Sequence, residues 1–447
     1  MPFSAPFDLT QESANVIVRS ALRDHTVGAI VGSALGDAVG LYTEFLSADQ
    51  AAISYPSRSF TLASPNPTPF KLDTHRSPKN PGDWTDDTDH ALLLLLSYLH
   101  TASTNGADPL PTPSDFASRL RIWVQQGLRV LDTMPLGLGR LVGTVVATKN
   151  FVEEPEQVAR EYWKRTGQRV APNGSIMRTH PLGLMCLFRG EEETFAVAAK
   201  ISRVTHYDSR CVIACVYGTA LVRAVVRSEI LMEEDINLLL RKVVVWYAGQ
   251  PEVGTESLEL DLAELEKHVK AESLDVLQLD EREAIGYVYK TLGAGVLLLR
   301  MAIRKTRESY GSLLMRVAMF EELITDLIMR GGDADTNACF AGALLGAFLG
   351  YEALPDHWKH GLRHEQWLIG KAEALCQVLG LADGHYDGQE DKDTYPDGGR
   401  GFVSEHEIEG RWMVLQQTAF KKIEDALKAT SKTRSRWSVP WPGKTEH

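Results

Sequence analysis

Residues 28–40 read GAIVGSALGDAVG, so that glycine recurs at every fourth position. Residues 342–350, GALLGAFLG, repeat this spacing near the other end of the chain. A glycine inside a helix costs about 1 kcal/mol relative to alanine, so a stripe of glycines needs a compensating contact. Small residues along one helix face allow two backbones to approach closely. The two stripes predict a pair of tightly packed central helices, whose ends would bring Glu44 and Asp333 to a common site.

Helical periodicity extends through most of the remaining chain. Runs of alternating β-branched residues are few, which argues against a sheet. Apolar residues at three- and four-residue spacing predict helices in seven further segments. These segments are 91–98, 116–131, 212–226, 236–246, 284–303, 313–329 and 367–379. We therefore predict an all-α fold, with one compact multi-helix domain over residues 15–380.

Three stretches depart from this helical pattern. Residues 51–82 contain six prolines, which predicts a long loop insertion that can act as a lid. Residues 251–282 are strongly acidic and predict a solvated helix followed by a linker. Residues 381–447 form a polar C-terminal extension with a predicted helix at 405–427 and a basic end that contains Trp437 and Trp441.

Composition and charge restrict the partners and the cellular compartment that we expect for this chain. The chain has 447 residues, and 47 Lys and Arg against 59 Asp and Glu give a net charge of −12, which argues against nucleic acid as a partner. Five cysteines form no regular framework and fit free thiols in a reducing compartment. No signal peptide is visible, and the apolar segment 27–41 is short and interrupted by Asp37. We expect a cytoplasmic or nuclear monomer without a membrane partner.

Two acidic hydroxyl clusters lie far apart in the sequence. Residues 85–88 read TDDT and residues 331–336 read GGDADT. Together they offer four Asp carboxylates and Thr hydroxyls, with no Cys or His among them. Hard oxygen donors suit Mg²⁺ or Mn²⁺ rather than zinc or copper. Because one Mg²⁺ keeps several waters and takes few carboxylates, the cluster predicts two metal ions.

Helix capping is the alternative explanation of both clusters. Asp and Thr are favoured N-cap residues, and an apolar helical run follows each cluster. One capping residue per helix would suffice, however. The adjacent carboxylates of Asp86 and Asp87 also repel each other unless a cation lies between them. The metal interpretation is therefore favoured.

Four blocks in order carry a family resemblance: GSALGDAVG at 32–40 running to Glu44, TDDT at 85–88, NGSIMR at 173–178 and GGDADT at 331–336. This order resembles the ADP-ribosylglycohydrolase family, which includes dinitrogenase reductase-activating glycohydrolase and the ADP-ribosyl-acceptor hydrolases. The resemblance implies an all-α fold and a binuclear site for two Mg²⁺ or Mn²⁺ ions. The implied ligands are Thr85, Asp86 and Asp87 from one side and Asp333, Asp335 and Thr336 from the other. Ala334 stands where Thr is commoner, between ligand positions.

The resemblance also implies roles around the metals. Glu44 would be the general acid/base, acting beside the catalytic carboxylates Asp86 and Asp87. The substrate-binding residues would be Asn173, Gly174, Ser175, Met177 and Arg178, as a phosphate loop, with His206 contacting pyrophosphate or ribose. From the residues alone, the loop is equally explained as a turn into a helix, Arg178 as half of a structural ion pair, and His206 as a structural histidine.

The function implied is metal-dependent hydrolysis of the ADP-ribosyl bond at C1″ of an ADP-ribosylated protein, with serine or arginine as acceptor. Two alternatives stay open. One is hydrolysis of a free derivative such as O-acetyl- or 1″-phospho-ADP-ribose. The other is a non-catalytic protein that binds ADP-ribose on the same fold. The presence of all six implied ligands and of Glu44 argues against the non-catalytic alternative.

Overall fold

A computed structural model describes residues 11–102, 108–251, 259–308 and 313–436. Within these ranges the backbone is helical or irregular, and its only extended pairings are isolated bridges such as Ser47 with Gly331 and Pro172 with Tyr287. The predicted all-α class is therefore confirmed. Trp437 and Trp441 lie outside the described residues.

Eighteen α-helices occur in the described ranges. They are α1 Gln11–Gly40, α2 Ala48–Ser54, α3 Asp86–Ala102, α4 Pro113–Gln126, α5 Arg140–Val146, α6 Pro155–Arg165, α7 His180–Met185, α8 Glu191–Arg203, α9 Ser209–Val226, α10 Glu233–Ala248, α11 Leu262–Val269, α12 Leu274–Leu277, α13 Val288–Glu308, α14 Leu313–Ile328, α15 Ala334–Leu349, α16 Asp356–Lys359, α17 Glu365–Val378 and α18 Glu405–Arg436. Short 3₁₀ turns cover Arg129–Leu131, Ile176–Arg178, Arg282–Ala284, Tyr351–Ala353 and Lys392–Thr394.

The two glycine stripes form the central helix pair that the sequence predicts. A Cβ atom added to Gly36 of α1 would lie 1.9 Å from the carbonyl oxygen of Ala338 in α15. A Cβ added to Gly346 of α15 would lie 1.9 Å from the carbonyl oxygen of Gly28. No side chain fits between the two backbones at these points. The cost of glycine in a helix is thus offset by direct contact between two buried helices.

Several helices differ from their predicted limits. The segment 116–131 is helical only to Gln126, because Gly127 takes a φ of +75° and a 3₁₀ turn follows. The acidic segment forms α11, which is not simply solvated, since Leu265 and Val269 are buried. Helices α5 to α8 were not anticipated, because each is short, polar, or begins next to proline or glycine.

Helix α9 is the one described helix that is long and apolar enough to cross a membrane by length and composition. Its apolar window is 94% buried inside the protein. That burial is the pattern of a core helix, since a membrane span would present its apolar surface to lipid.

The described part of the chain divides into two compact units, residues 11–68 with 82–402, and residues 69–81 with 403–436. In the smaller unit, Lys422 Nζ of α18 donates to Lys79 O at 3.0 Å and to Asn80 Oδ1 at 2.9 Å. The larger unit extends past residue 381, to Phe402. One reason is that Arg119 donates to the Thr394 carbonyl at 2.9 Å and holds this segment on the helices.

The first part of the proline-rich insertion is anchored in the larger unit. Trp358 Nε1 donates to Phe60 O at 2.8 Å, and Tyr42 Oη donates to Thr68 O at 2.8 Å. The predicted loop 51–82 is helical in its first residues, because α2 extends to Ser54, whereas the rest of the segment contains no helix, as its prolines predict. Its role as a lid stays a prediction.

Candidate metal centre

A backbone clamp joins the loop after α1 to the loop before α15. Phe45 N donates to Gly332 O at 2.6 Å, and Gly332 N donates to Leu46 O at 2.9 Å. Gly331 and Gly332 have φ values of +67° and +73°, a region that side-chain-bearing residues rarely adopt. A Cβ on Gly332 would also lie 2.1 Å from the carbonyl oxygen of Leu279. Both glycines are therefore required by the clamp, which sets Glu44 beside Asp333.

Three carboxylates meet at this clamp. Glu44, Asp333 and Asp335 each offer an oxygen, and these atoms all lie within 4.8 Å of one another. Glu44 is 5% exposed and Asp335 is 3% exposed, whereas Asp333 is partly exposed. The predicted meeting of Glu44 with Asp333 is confirmed. We call residues 331–336 the α15 end of the site.

The TDDT block begins α3 and forms the second part of the site, which we call the α3 end (residues 85–88). Asp86, Asp87 and Thr85 are all buried, although carboxylates are rarely buried without a partner. Thr85 Oγ1 donates to Asp87 Oδ2 at 3.1 Å. Asp87 Oδ1 is buried, and no described residue gives it a hydrogen bond. An orphaned buried carboxylate oxygen is the atom that a cation would satisfy.

The two ends share one electrostatic environment. Burial raises the pKa of Glu44 well above its usual value, and the carboxylates of Asp335, Asp333 and Asp86 raise it further. Burial followed by the charge of Asp335 likewise raises the pKa of Asp87. Burial and Asp333 raise the pKa of Asp335 to about 7. Such crowded carboxylates must be relieved by protons or by cations, and an oxygen-only donor set suits Mg²⁺ or Mn²⁺. The residues present therefore fit a divalent metal centre.

Capping does not explain the α15 end. Asp333 is the N-cap residue of α15, yet its side chain makes no capping hydrogen bond. Asp333 instead accepts from Asn173 Nδ2 at 2.9 Å. Thr336, an implied ligand, lies in the first turn of α15 and is buried. The carboxylate of Asp333 therefore has a task other than helix initiation.

Two glycines that the sequence did not reveal as site residues line the site. Gly137 has a φ of +95°, and a Cβ there would lie 2.1 Å from Asp86 Oδ1. A Cβ on Gly286 would lie 3.1 Å from Asp333 Oδ2. Glycine alternates with leucine at 136–139, and this local pattern was the available signal. Backbone without a side chain therefore lies next to one carboxylate at each end of the site.

Asn173 lies at the metal centre rather than only in a loop. Its Nδ2 donates to Asp333 Oδ2 and, at 3.0 Å, to Thr291 Oγ1. Thr291 Oγ1 in turn donates to Asn337 Oδ1 at 2.7 Å. We call Asn173, Thr291 and Asn337 the neutral relay. It orients one carboxylate of the α15 end, a connection that no sequence pattern revealed.

The rest of the predicted phosphate loop turns into the core. Ser175 is fully buried, and its Oγ has no hydrogen-bond partner among the described residues. Met177 is 3% exposed and lies in the 3₁₀ turn Ile176–Arg178. Arg178 is fully buried and donates to Gly174 O at 3.1 Å and to Thr205 Oγ1 at 2.7 Å. These bonds make Arg178 a support of the loop, so a direct substrate role for Met177 and Arg178 rests on the resemblance alone.

Two buried histidines lie near this loop. His206 Nδ1 is 2.7 Å from Thr205 Oγ1, and a Cβ on Gly174 would lie 3.3 Å from His206 Nε2. Burial, followed by the charge of Arg178, holds the pKa of His206 well below its usual value, so its imidazole is neutral. His90 was not anticipated. It is fully buried one turn after Asp86, edge-on to Trp123 at 4.4 Å between ring centroids.

Comparison with known proteins decides the family. The sequence profile of the family described as ADP-ribosylglycohydrolase matches residues 19–385, which include every residue of the candidate site. The chain belongs to the ADP-ribosylglycohydrolase family. This family is one of glycosidic hydrolases that are generally metal-dependent. Its assignment agrees with the buried carboxylates that the fold brings together here.

Relatives within the ADP-ribosylglycohydrolase family are distant in sequence but match most of their length. ADP-ribosylarginine hydrolase Tri1 of Serratia proteamaculans is 24% identical over 80% of this chain and 81% of its own. The ADP-ribosyl-[dinitrogen reductase] glycohydrolase of Rhodospirillum rubrum is 22% identical over 81% of this chain and 98% of its own. A solved structure of an ADP-ribosylglycohydrolase-related protein complex shares the fold, with a TM-score of 0.50, 24% identity, and coverage of 80% of this chain and 98% of that one.

Proposed function

We propose that this protein hydrolyses the bond between C1″ of ADP-ribose and a side chain of an ADP-ribosylated protein. The observation that carries the proposal is the meeting of Glu44, Asp333 and Asp335, whose oxygens lie within 4.8 Å in a largely buried site. Membership of the ADP-ribosylglycohydrolase family supports the reaction class. Relatives named ADP-ribosylarginine hydrolase favour arginine as the acceptor over serine.

The proposed centre holds two divalent cations, Mg²⁺ or Mn²⁺. When bound, the ions would polarise ribose oxygens and neutralise the crowded carboxylates. The residues that would hold them are Thr85, Asp86, Asp87, Asp333, Asp335 and Thr336. The orphaned Asp87 Oδ1 supports this assignment, because a cation would give that buried oxygen its missing partner.

Glu44 is proposed to move the proton. A water oxygen bonds to C1″ while the bond from C1″ to the acceptor nitrogen breaks. Glu44 donates a proton to the leaving group as that bond breaks and takes one back from the attacking water, which gives ADP-ribose and the unmodified side chain. Burial and the neighbouring carboxylates favour the protonated form of Glu44, and this suits the donation of a proton to the leaving group.

The ADP portion is proposed to bind at the Asn173–Ser175 loop. Backbone N–H groups next to glycine can approach an anion closely. The neutral His206 lies against Gly174, and its Nε2 has no hydrogen-bond partner among the described residues. This nitrogen beside the loop supports a site for the diphosphate. Binding there would position the distal ribose at the carboxylates.

The test is release of ADP-ribose from arginine- and serine-ADP-ribosylated peptides, with Mg²⁺ and with EDTA. We expect Mg²⁺-dependent release from the arginine peptide, and a loss of about 10²–10⁴-fold in kcat for Glu44→Gln, the usual range for removal of a general acid/base. Glu373→Gln is the matched control, because Glu373 pairs with Arg23 on the surface. It should keep wild-type activity.

The same assay separates the alternatives. Release from the serine peptide alone would change the acceptor. Hydrolysis of O-acetyl- or 1″-phospho-ADP-ribose without release from either peptide would overturn the protein substrate. Binding of ADP-ribose with no hydrolysis of any substrate would establish the non-catalytic alternative.

A further inference from the structure

The N-terminus of α3 is capped by a residue from another helix. The first N–H groups of a helix have no partner within that helix. In a capping box, side chains of the same segment satisfy the N–H groups of the N-cap and of the third helical residue. For α3 these positions are Thr85 and Thr88. Asp37, from α1, accepts from Thr85 N at 2.9 Å and from Thr88 N at 3.0 Å.

Asp37 makes a further bond to the same turn. Its Oδ2 accepts from Thr88 Oγ1 at 2.6 Å, the short length typical of a hydroxyl bound to an ionised carboxylate. Asp37 is fully buried. One carboxylate therefore receives the two capping N–H groups and a hydroxyl, all from the α3 end.

This arrangement leaves the oxygen of the Thr85 hydroxyl available to accept from, or bind, a further group. As an ordinary N-cap, Thr85 Oγ1 would accept a good bond from the second or third helical N–H. Here it accepts only a 3.4 Å bond from Asp87 N. Because Asp37 performs the capping, the hydroxyl of Thr85 is not committed to helix initiation. It can face the same cation as the neighbouring carboxylates.

Helix α1 also contacts the opposite end of the site. A Cβ on Gly40 would lie 2.4 Å from Asp335 Cα, and a Cβ on Gly36 would lie 1.9 Å from Ala338 O. Asp37 lies between these two glycines in sequence. One turn of α1 is therefore fixed against the first turn of α15 by backbone contact and against the first turn of α3 by a carboxylate.

We propose that Asp37 is a positioning residue for the metal centre, which sets the spacing between the α3 end and the α15 end without binding the ions itself. The inference rests on the proposed function only in taking residues 85–87 as ligands. Loss of Asp37 should let the first turn of α3 shift relative to Asp335. Metal affinity should then fall even where the fold persists.

The test measures Mn²⁺ binding to the full-length protein, by electron paramagnetic resonance of the free ion, with no substrate present. Asp37→Asn keeps the size of the side chain but removes its charge and replaces one acceptor by a donor. We expect its dissociation constant for Mn²⁺ to rise by about 10- to 100-fold, the usual effect of losing an outer partner of a metal ligand. Thr88→Val, which removes only the 2.6 Å hydroxyl bond, should weaken Mn²⁺ binding less.

Asp391→Asn is the matched control. Asp391 also receives several donors, including Tyr386 Oη at 2.6 Å and Asp393 N at 3.1 Å, and none of these donors belongs to the metal centre. The control should lower the Tm measured in EDTA while leaving Mn²⁺ affinity unchanged. At saturating Mn²⁺, Asp37→Asn should recover most of its kcat, whereas a variant lacking a ligand would not.

The outcomes are distinct. The proposal would be overturned if Asp37→Asn and Thr88→Val bound Mn²⁺ with wild-type affinity while their Tm fell as in Asp391→Asn. Asp37 would then be a structural cap only. Weakened Mn²⁺ binding in a protein that hydrolyses no ADP-ribosylated substrate would support Asp37 and overturn the proposed function. Absence of Mn²⁺ binding in the wild type would overturn both.

Discussion

The α3 end and the α15 end of the candidate metal centre are similar in sequence but are held in place differently. At the α3 end, one buried carboxylate from α1, Asp37, receives the capping groups of the turn. At the α15 end, two glycines with positive φ close a backbone clamp, and the neutral relay orients Asp333. The α3 end therefore depends on a charge from another helix. The α15 end depends on backbone shape and on neutral hydrogen bonds.

The two ends should therefore be sensitive to different kinds of substitution. A charged partner can be removed with little change in shape, so the α3 end should lose metal affinity before it loses structure. A glycine with positive φ has no isosteric substitute, so the α15 end should lose structure and function together. Substitutions in the neutral relay should lower Mn²⁺ affinity least, because a hydrogen bond between neutral groups contributes less free energy than one to a charged group.

The largest effect is expected from Gly332→Ala. Its φ of +73° and the Leu279 carbonyl at 2.1 Å exclude a side chain. Backbone strain alone should lower the free energy of unfolding by about 1–3 kcal/mol, and opening of the clamp should separate Glu44 from Asp333 and abolish Mn²⁺ binding. Chemical denaturation and Mn²⁺ titration measure the two effects.

Gly370→Ala is the control for this substitution. Gly370 lies in α17, and nothing lies within 4 Å of the position of an added Cβ. Alanine there should stabilise the protein by about 0.4–1 kcal/mol. Normal Mn²⁺ binding by Gly332→Ala would show that the clamp does not form the site.

Metal removal should produce the next largest effect, and its size should depend on pH. Folding raises the pKa of Asp335 from 3.8 to about 7, so the folded protein binds more protons than the unfolded chain between those values. Stability without metal is therefore expected to fall as pH rises through this window, since the repulsion becomes complete above it. Bound Mg²⁺ should oppose the loss. Thermal unfolding from pH 4 to pH 8, in EDTA and in Mg²⁺, measures the difference.

Asp335→Asn isolates the contribution of this cluster, because it removes one of the crowded carboxylates. The metal-free Tm of this variant should fall less between pH 4 and pH 8 than that of the wild type. Parallel curves for the two proteins would place the pH dependence outside the cluster.

The smallest effect on Mn²⁺ affinity is expected from Thr291→Val, which breaks the neutral relay. It would leave the Nδ2 of Asn173 and the Oδ1 of Asn337 each short of one partner, at a cost of about 1–3 kcal/mol in unfolding free energy. Mn²⁺ affinity should fall less than for Asp37→Asn, because Asp333 keeps its bond from Asn173.

Thr219→Val is the corresponding control. Thr219 is fully buried and donates to the Thr179 carbonyl at 3.3 Å. It should lose stability with no change in Mn²⁺ affinity. An affinity loss for Thr291→Val as large as that of Asp37→Asn would erase the proposed difference between the two ends.

Much of the site was accessible from local sequence. The spacing of glycine in 28–40 and 342–350 predicts that two helices pack backbone to backbone, and that contact alone brings Glu44 to Asp333. The oxygen-only chemistry of the TDDT and GGDADT blocks likewise depends on residue types, which the sequence states directly. Periodicity predicts the all-α class for the same reason, since it records which faces of each segment are apolar.

The partners of individual polar atoms were decided by tertiary structure. Asp37 appeared in the sequence only as an interruption of an apolar segment and as an unassigned member of the 32–40 block, and Asn173 only as part of a loop. Their roles depend on which helix end faces which, and on angles of approach that spacing does not encode. Gly137 and His90 were missed for the same reason. The sequence thus determined the helices, the donor types and the meeting of α1 with α15, because these follow from local pattern. Tertiary structure decided which buried polar groups form hydrogen bonds with one another, because hydrogen bonds between distant segments form only after the helices have packed.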